Sequence, residues 1–495
     1  MKAAATTPSK GPGPPPLDPS WVDEVLLRGA GAEQCLFFDA PVSRDELRRL
    51  VAARQAELSA AGLGRGGSVA LCLAPSLALV TNLLAAWRLG AQASLLDHRL
   101  TAFETEQALA RLDPQVVVSA AQPVGAGPAR GFYDLREVVT TRAGRPARTP
   151  HAVVQLSSGS TGPSKIIGRT AADLVAEIDR YAQIDGVPRA GERIVSMASM
   201  VHVLGLVGGL LHSLHAGVRL AVPQRTSAEG ILATVAAGPE PTTLLGVPFH
   251  IELLTWVSRP PHLPQLTGMT TGGELVRAQV HDAFVDHYGI RLGSMYGMTE
   301  VGVIATDLFG KNRPELTPAP GITLREQDGE LLIAREQSPY LGTTDPSRWS
   351  DGWLHTRDGG TVDPDSGLVR VLGRRDSQVS IGGLKVDLTE VEHTLAALPE
   401  VAAAVVVFGT SIEAYVVPRE TGADAQVEAR LTEQLTERLA AYKRPRLLHL
   451  VDQLPRTATG KLVRDRTVLR DAGQRPNQLP EQEPANRKGS HRDVH

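Results

Sequence analysis

Hydroxyls, glycines and one cation crowd into the stretch Gln155-Leu156-Ser157-Ser158-Gly159-Ser160-Thr161-Gly162-Pro163-Ser164-Lys165, directly after the apolar run Ala152-Val153-Val154. A short β-branched run reads as a buried strand, and glycine-rich backbone beyond it lets successive N–H groups close around an anion. Ser157, Ser158, Ser160 and Thr161 add hydroxyl donors and Lys165 adds a charge, so the stretch reads as a phosphate loop. It is not the P-loop of ordinary ATPases, where the lysine directly follows a glycine and precedes Ser or Thr; here Pro163 and Ser164 intervene and Ile166 follows. On composition alone the same residues also suit a flexible connector.

Further clusters offer complementary chemistry. Ser294-Met295-Tyr296-Gly297-Met298-Thr299-Glu300 puts an aromatic ring, a hydroxyl and a carboxylate into one short turn, a stacking face for a purine and a hard oxygen ligand for a metal. Thr271-Gly272-Gly273-Glu274 offers backbone without side-chain bulk for close approach to a base. In Gly352-Trp353-Leu354-His355-Thr356-Arg357-Asp358-Gly359, the sequence suggests a buried Trp353 and an isolated Asp358 able to accept both ribose hydroxyls. Gly373-Arg374-Arg375-Asp376 and Pro455-Arg456-Thr457-Ala458-Thr459-Gly460-Lys461 place charges late in the chain. Singly, each has a plainer explanation: Glu300 as a helix cap, Asp358 as a turn former, Lys461 as a solvated cation.

The elements that must position these groups alternate. Ser43 and Glu46 have capping-box spacing ahead of a helix whose Leu47, Leu50, Val51 and Leu58 share a face, with the Arg54 stem laid along it and its head in water. Strands are expected at 69–73, 93–96, 116–118 and 152–156, and helices at 77–89 and 102–112. Residues 125–150 read as a loop, and strand–helix alternation resumes to about residue 310. That pattern predicts a parallel sheet with helices on its faces. From residue 321, short strand candidates separated by turns predict an antiparallel β subdomain; Asp363 and Asp365 read as turn residues rather than calcium ligands. Beyond a seam at 373–376, two helices and three strands make a separate α/β lobe. The expected organisation is a disordered segment over 1–16, a large domain over 17–375, a small lobe over 376–470 and a disordered tail over 471–495. The fold class is α/β: a large N-terminal domain of parallel-rich sheets with helices plus an antiparallel β subdomain, and a small mobile C-terminal α/β lobe.

A chain of 495 residues exceeds one hydrophobic core. Its net charge of −3 argues against nucleic acid or a membrane surface recognised by bulk charge. Cys35 and Cys72 are the only cysteines, too few for a disulfide framework and compatible with a reducing cytosol. The start, with Gly11-Pro12-Gly13-Pro14-Pro15-Pro16, shows no secretory signal, and the apolar stretch 201–222 carries His202, His212, His215 and Arg219, which suits core better than a membrane span. A cytoplasmic protein is expected.

Taken in order, the clusters resemble the adenylate-forming superfamily of acyl-CoA synthetases, adenylation domains, luciferases and stand-alone amide synthetases, over about residues 40–470. The resemblance implies ATP and Mg2+ as cofactors. It places Ser157, Ser158, Gly159, Ser160, Thr161, Gly162 and Lys165 on the β and γ phosphates, Gly272, Gly273 and Glu274 beside the adenine, and Tyr296 in the aromatic-Gly-x-Thr-Glu motif with Thr299 and Glu300, the latter as magnesium ligand. Asp358 falls on the ribose-binding aspartate, Arg374 on its partner, Asp376 on the hinge and Lys461 on the catalytic lysine of the C-terminal lobe. His202, in Met200-Val201-His202-Val203-Leu204-Gly205, matches a His-x-x-Gly segment beside the acyl pocket, where Val203, Leu204 and Val207 suit a flat aryl acid or ordinary core. The family often has Thr-Gly-Asp where this chain has Thr356-Arg357-Asp358. The implied reaction joins a carboxylic acid to ATP, releasing pyrophosphate, and then transfers the acyl group. The texture around Trp87-Arg88-Leu89-Gly90, Leu95-Leu96-Asp97-His98-Arg99-Leu100 and Ile381-Gly382-Gly383-Leu384-Lys385-Val386-Asp387 is most like amide bond synthetases of the marinacarboline type, which makes an amine the expected acceptor and coenzyme A the alternative. A non-catalytic nucleotide-binding regulator is a reading of another class, which Glu300 together with Lys461 argues against.

Overall fold

The computed structural model describes residues 18–122, 130–157, 165–273, 276, 278–342, 345–375, 377–419, 425–455, 462–471 and 477–478. Ser158 to Gly162, Glu274, Asp376 and Lys461 therefore lie outside the described residues, as do residues 1–16 and most of the expected tail.

Two compact units divide the chain, with the boundary between Lys385 and Val386. That boundary falls inside the hairpin Gln378–Ile381 / Leu384–Asp387 that follows the compositional seam. In the first unit, a six-stranded sheet runs in the order Glu137–Thr141, Val116–Ala120, Ser68–Cys72, Gln92–Leu95, His151–Ser157, Lys165–Thr170. Its inner four strands are parallel and both outer strands antiparallel. Runs such as Val116-Val117-Val118 can be apolar throughout because a parallel sheet is covered on both faces. Residues 125–150 are not wholly loop: Glu137–Thr141 forms an edge strand with Val138, Thr140 and Thr141 exposed, and an edge strand needs no apolar alternation to pair.

A nine-stranded sheet is parallel through Leu36, Leu220, Ile194, Leu244, Met269 and Leu292, and turns antiparallel at Gly302–Asp307. A five-stranded antiparallel sheet, including Glu330–Ala334, Trp353–Val362 and Val369–Arg374, makes the β subdomain. Within the second unit, the strands Val401–Phe408, Ile412–Pro418, Leu447–Leu450 and Asn477–Gln478 pair in that order, and the helix Leu388–Ala396 packs on the first of them.

Ser43 caps the helix Arg44–Ala60 by accepting from Glu46 N, and Leu47, Val51 and Leu58 are fully buried on it. Arg54 is not free in water: its guanidinium meets Glu57 and Glu137. The stretch 201–222 is core, with Leu206, Val207, Leu210, Leu211 and Leu214 at 1% exposure or less, although its first helical piece, Leu204–Leu211, is wound as a π-helix before His212–Ala216 becomes α. Trp353 is only partly buried and stacks under the Arg325 guanidinium, 3.9 Å from its ring centroid, so the tryptophan serves a surface cation–π contact. Asp363 accepts from the backbone of Asp365 and Ser366, the turn geometry expected of it. Cys35 and Cys72 are unbridged, and burial pushes their thiols up to about 11 and about 12. No helix among the described residues is long and apolar enough to cross a membrane.

Candidate active site

The site is assembled at strand ends and turns of the first unit. The strands Leu266–Gly272 and Arg291–Met298 lie parallel with Gly272 opposite Met295, which brings Gly272 and Tyr296 to the same end of neighbouring strands. A Cβ on Gly272 would sit 3.0 Å from the Met295 carbonyl, and Gly273 has φ +92°, so this corner requires bare backbone. Such a corner is what a planar base needs for close approach. Tyr296 is partly accessible, and its hydroxyl donates a 2.6 Å hydrogen bond to Asp358 Oδ2. Burial first, then the Asp358 charge, pushes the phenol well above its ordinary pKa, so Tyr296 remains a donor.

Asp358 and Arg374 face each other across the antiparallel pair Trp353–Val362 / Val369–Arg374. Arg374 Nη1 donates to Asp358 Oδ1 at 3.2 Å and to the Thr356 carbonyl at 3.0 Å. Asp358, 7% exposed, is thus no isolated turn residue but a buried carboxylate gripped on both oxygens. Where glycine was the family's usual residue, Arg357 holds φ +63°; its N–H donates to Glu330 and its guanidinium to the Ser347 carbonyl.

Thr299 and Glu300 follow Met298 in the turn that reverses into Gly302–Asp307. Glu300 is buried, and its Oε1 accepts from the Tyr340 hydroxyl at 3.1 Å. Lys165, the first described residue after the phosphate loop, lies 5.9 Å from the Tyr340 ring centroid. One tyrosine therefore touches the metal-ligand candidate and neighbours the phosphate-loop cation. The sequence did not single out Tyr340, since a lone tyrosine after Pro339 carries no spacing signal.

His202 follows the strand end at Ser196 and has a side chain 46% exposed, which leaves it open to a ligand. Its Nε2 lies 3.6 Å from Asp97 Oδ2, and the Arg99 guanidinium donates to both Asp97 oxygens. Burial acts to raise the Asp97 carboxyl, but His202 and Arg99 outweigh it and hold it well below the usual carboxylate range. Val207 belongs to the core, while Val203 and Leu204 pack at its edge. The turn glycine Gly383 packs on Val247: a Cβ there would meet Val247 Cγ1 at 2.5 Å.

Among the described residues no three metal-ligating side chains converge. A single carboxylate such as Glu300 nevertheless fits Mg2+, which is usually carried by one or two carboxylates together with nucleotide phosphates and water. Bare backbone at Gly272 and Gly273, the Tyr296 ring and the Asp358 carboxylate likewise fit a purine nucleoside.

Comparison with known proteins identifies the family. The AMP-binding enzyme profile matches residues 30–339, and that of the AMP-binding enzyme C-terminal domain matches 390–461. Similar proteins include p-hydroxybenzoic acid–AMP ligase FadD22 of Mycobacterium marinum, 28% identical over 83% of this chain and 62% of its own, and indoleacetate–CoA ligase of Aromatoleum aromaticum, 26% identical over 90% and 96%. The chain thus spans about 62% of the length of the mycobacterial relative. Among solved structures, a double mutant of o-succinylbenzoate CoA synthetase from Bacillus subtilis superposes with a TM-score of 0.77 at 22% identity, covering 94% of this chain and all of that one. The amide bond synthetase McbA from Marinactinospora thermotolerans gives 0.75 at 23%, covering 89% and 97%. With the profile spanning most of the first unit and its C-terminal companion falling on the second, the chain belongs to the AMP-binding enzymes, the adenylate-forming superfamily.

Proposed function

We propose that the protein activates a carboxylic acid, of aryl or heteroaryl type, as an acyl-adenylate and passes the acyl group to an amine. The observation that carries the first half is the Tyr296–Asp358–Arg374 cluster beside the bare backbone of Gly272 and Gly273. It is a nucleoside seat: the ring offers a stacking face, and Asp358 offers acceptors to the ribose hydroxyls.

In this reading the phosphate loop and Lys165 hold the part of ATP that leaves. Two anions, the carboxylate and the α-phosphate, must meet, so cationic groups are needed at the point of contact. Magnesium held by Glu300 would supply charge neutralisation for the phosphates. Tyr340 fixes the orientation of the Glu300 carboxylate through its hydroxyl. Lys461 is assigned the developing charge at the reacting centre, with Asp376 as the hinge about which the small lobe moves. His202, half-exposed and steadied by Asp97, is placed beside the acid.

The amine acceptor rests on the likeness of the chain's texture to stand-alone amide synthetases. Transfer to coenzyme A is the second reading, supported by relatives such as indoleacetate–CoA ligase that align along almost their full length. Incubation with ATP, Mg2+ and a panel of aryl acids, with either simple amines or coenzyme A, separates the two by product mass. Amide formation is expected; a thioester without any amide overturns the amine assignment, and absence of pyrophosphate with every acid overturns the adenylation reading itself.

A further inference from the structure

A charged pair lies beneath the site where a core would ordinarily be apolar. Arg169 sits on the strand Lys165–Thr170 that leaves the phosphate loop, and Glu177 on the helix Ala171–Gln183 that follows; each is 1% exposed. Arg169 Nη1 donates to Glu177 Oε2, and Glu177 Oε1 accepts from Val303 N at 3.2 Å. On the other side, Arg169 Nη2 donates to Gln155 Oε1 at 3.3 Å, and Gln155 Nε2 donates to the Val201 carbonyl at 2.5 Å.

Each end of this chain of contacts lies next to a residue already placed in the site. Gln155 and Arg169 flank the phosphate loop on its incoming and outgoing strands, paired through Leu156–Ile166 and Ser157–Lys165. Val201 immediately precedes His202. Val303 is the second residue of the return strand that follows Glu300, and the Glu177 carboxylate fills the space where any Cβ on Gly302 would have to go. Gly302, at φ +93°, is therefore glycine for two reasons.

A buried pair of charges is a weak source of stability, because desolvation offsets most of its Coulombic gain. Its geometry is directional, however, and an apolar substitute would fill the volume without holding the backbone of Val303 or the Gln155 amide that in turn holds Val201. We infer that Gln155, Arg169 and Glu177 are positioning residues that hold the two strands flanking the phosphate loop, the His202 segment and the Glu300 turn in register with one another. This rests on the functional reading above for what those three segments do.

Replacing one charge alone would strand the other, so the test uses the double variant Arg169→Met/Glu177→Met, which keeps the volume apolar, and separately Gln155→Met. With an acid accepted by the parent, acid-dependent pyrophosphate release is followed together with thermal unfolding. The double variant is expected to unfold within a few degrees of the parent and to lose about ten- to a hundredfold in kcat, the scale of a small misplacement of reacting groups. Gln155→Met is expected to raise KM for the acid severalfold while KM for ATP stays within about twofold, because it cuts the tie to the His202 segment and one Arg169 contact but leaves the Arg169–Glu177 and Glu177–Val303 bonds in place. A folded double variant with parental kcat, or a Gln155→Met that moves both KM values equally, overturns the inference. If the double variant does not fold, the KM split of Gln155→Met decides alone. If the parent releases no pyrophosphate with any acid, it is the functional reading that fails; the network is then judged by the ATP-dependent rise in unfolding temperature, which the double variant must lose for the inference to stand.

Discussion

The Tyr296 hydroxyl reaches across 62 positions of sequence to donate a 2.6 Å hydrogen bond to Asp358, whose other oxygen is taken by Arg374. The carboxylate is thus oriented by the protein from both sides. Hydrogen bonds to a charged group contribute about 1.5–3 kcal/mol, so Asp358→Asn should raise KM for ATP about 10- to 100-fold. Tyr296→Phe, which keeps the ring, should raise it less. Equal KM values in the parent and Asp358→Asn would remove Asp358 from the nucleotide seat.

Lys461→Ala should lower acid-dependent pyrophosphate release about a hundred- to a thousandfold, the effect of losing one preorganised donor at about 2.7–4 kcal/mol. The same variant should still consume a synthetic acyl-adenylate. Undiminished pyrophosphate release would sink the assignment of this lysine.

Arg357 occupies left-handed backbone, which costs a non-glycine residue about 1–2 kcal/mol. Its exposed bond to the Ser347 carbonyl returns part of that. Arg357→Gly should therefore be at least as stable as the parent in urea unfolding, and Arg357→Val, β-branched at positive φ, should be less stable by about 1 kcal/mol or more. A Gly variant less stable than the Val variant would show that the side-chain bond outweighs the backbone.

Burial lowers His212 and His250 to about 4. His250 Nδ1 accepts from Val247 N at 3.1 Å, which needs the neutral ring; His212 Nε2 donates to the Pro188 carbonyl at 2.8 Å, which favours its charged form, but burial outweighs that bond. Between about pH 6.5 and 4 the unfolded chain binds more protons, and stability falls as the pH falls through that window, by about 1.4 kcal/mol per unit for each ring. Denaturant midpoints measured at pH 7.5, 6 and 5 should decline, and the slope should lessen in His212→Gln. A flat profile would mean that these rings are solvated.

The fold was legible wherever burial dictated an unbroken pattern. The runs at Val116 and Val153 and the cap at Ser43 lie in parallel strands and a helix terminus whose physics is local. Glu137–Thr141 escaped notice because it forms at the sheet's edge, where solvent tolerates any side chain. In the site, Tyr296, Glu300, Asp358 and Arg374 carried local motifs, but their mutual contacts depend on strand register, which no spacing in the chain encodes. Tyr340 was missed, and Asp97 given no place in the site, for that reason. Arg169 and Glu177 did leave a trace: a charge within the strand after the loop, and a carboxylate sharing a helical face with Leu174, Ile178 and Tyr181, all buried. Reading that trace required asking why a charge would enter a core face.

The two cysteines have a practical bearing on the motion assigned to the small lobe. With their thiols pushed up to about 11 and about 12, Cys35 and Cys72 remain protonated at neutral pH, and a thiol must ionise to react with a maleimide. The native chain should resist alkylation without any cysteine being removed. A pair of surface cysteines introduced one on each unit would then take fluorescent labels selectively, and energy transfer between the dyes would test the rotation proposed about Asp376 during a single turnover.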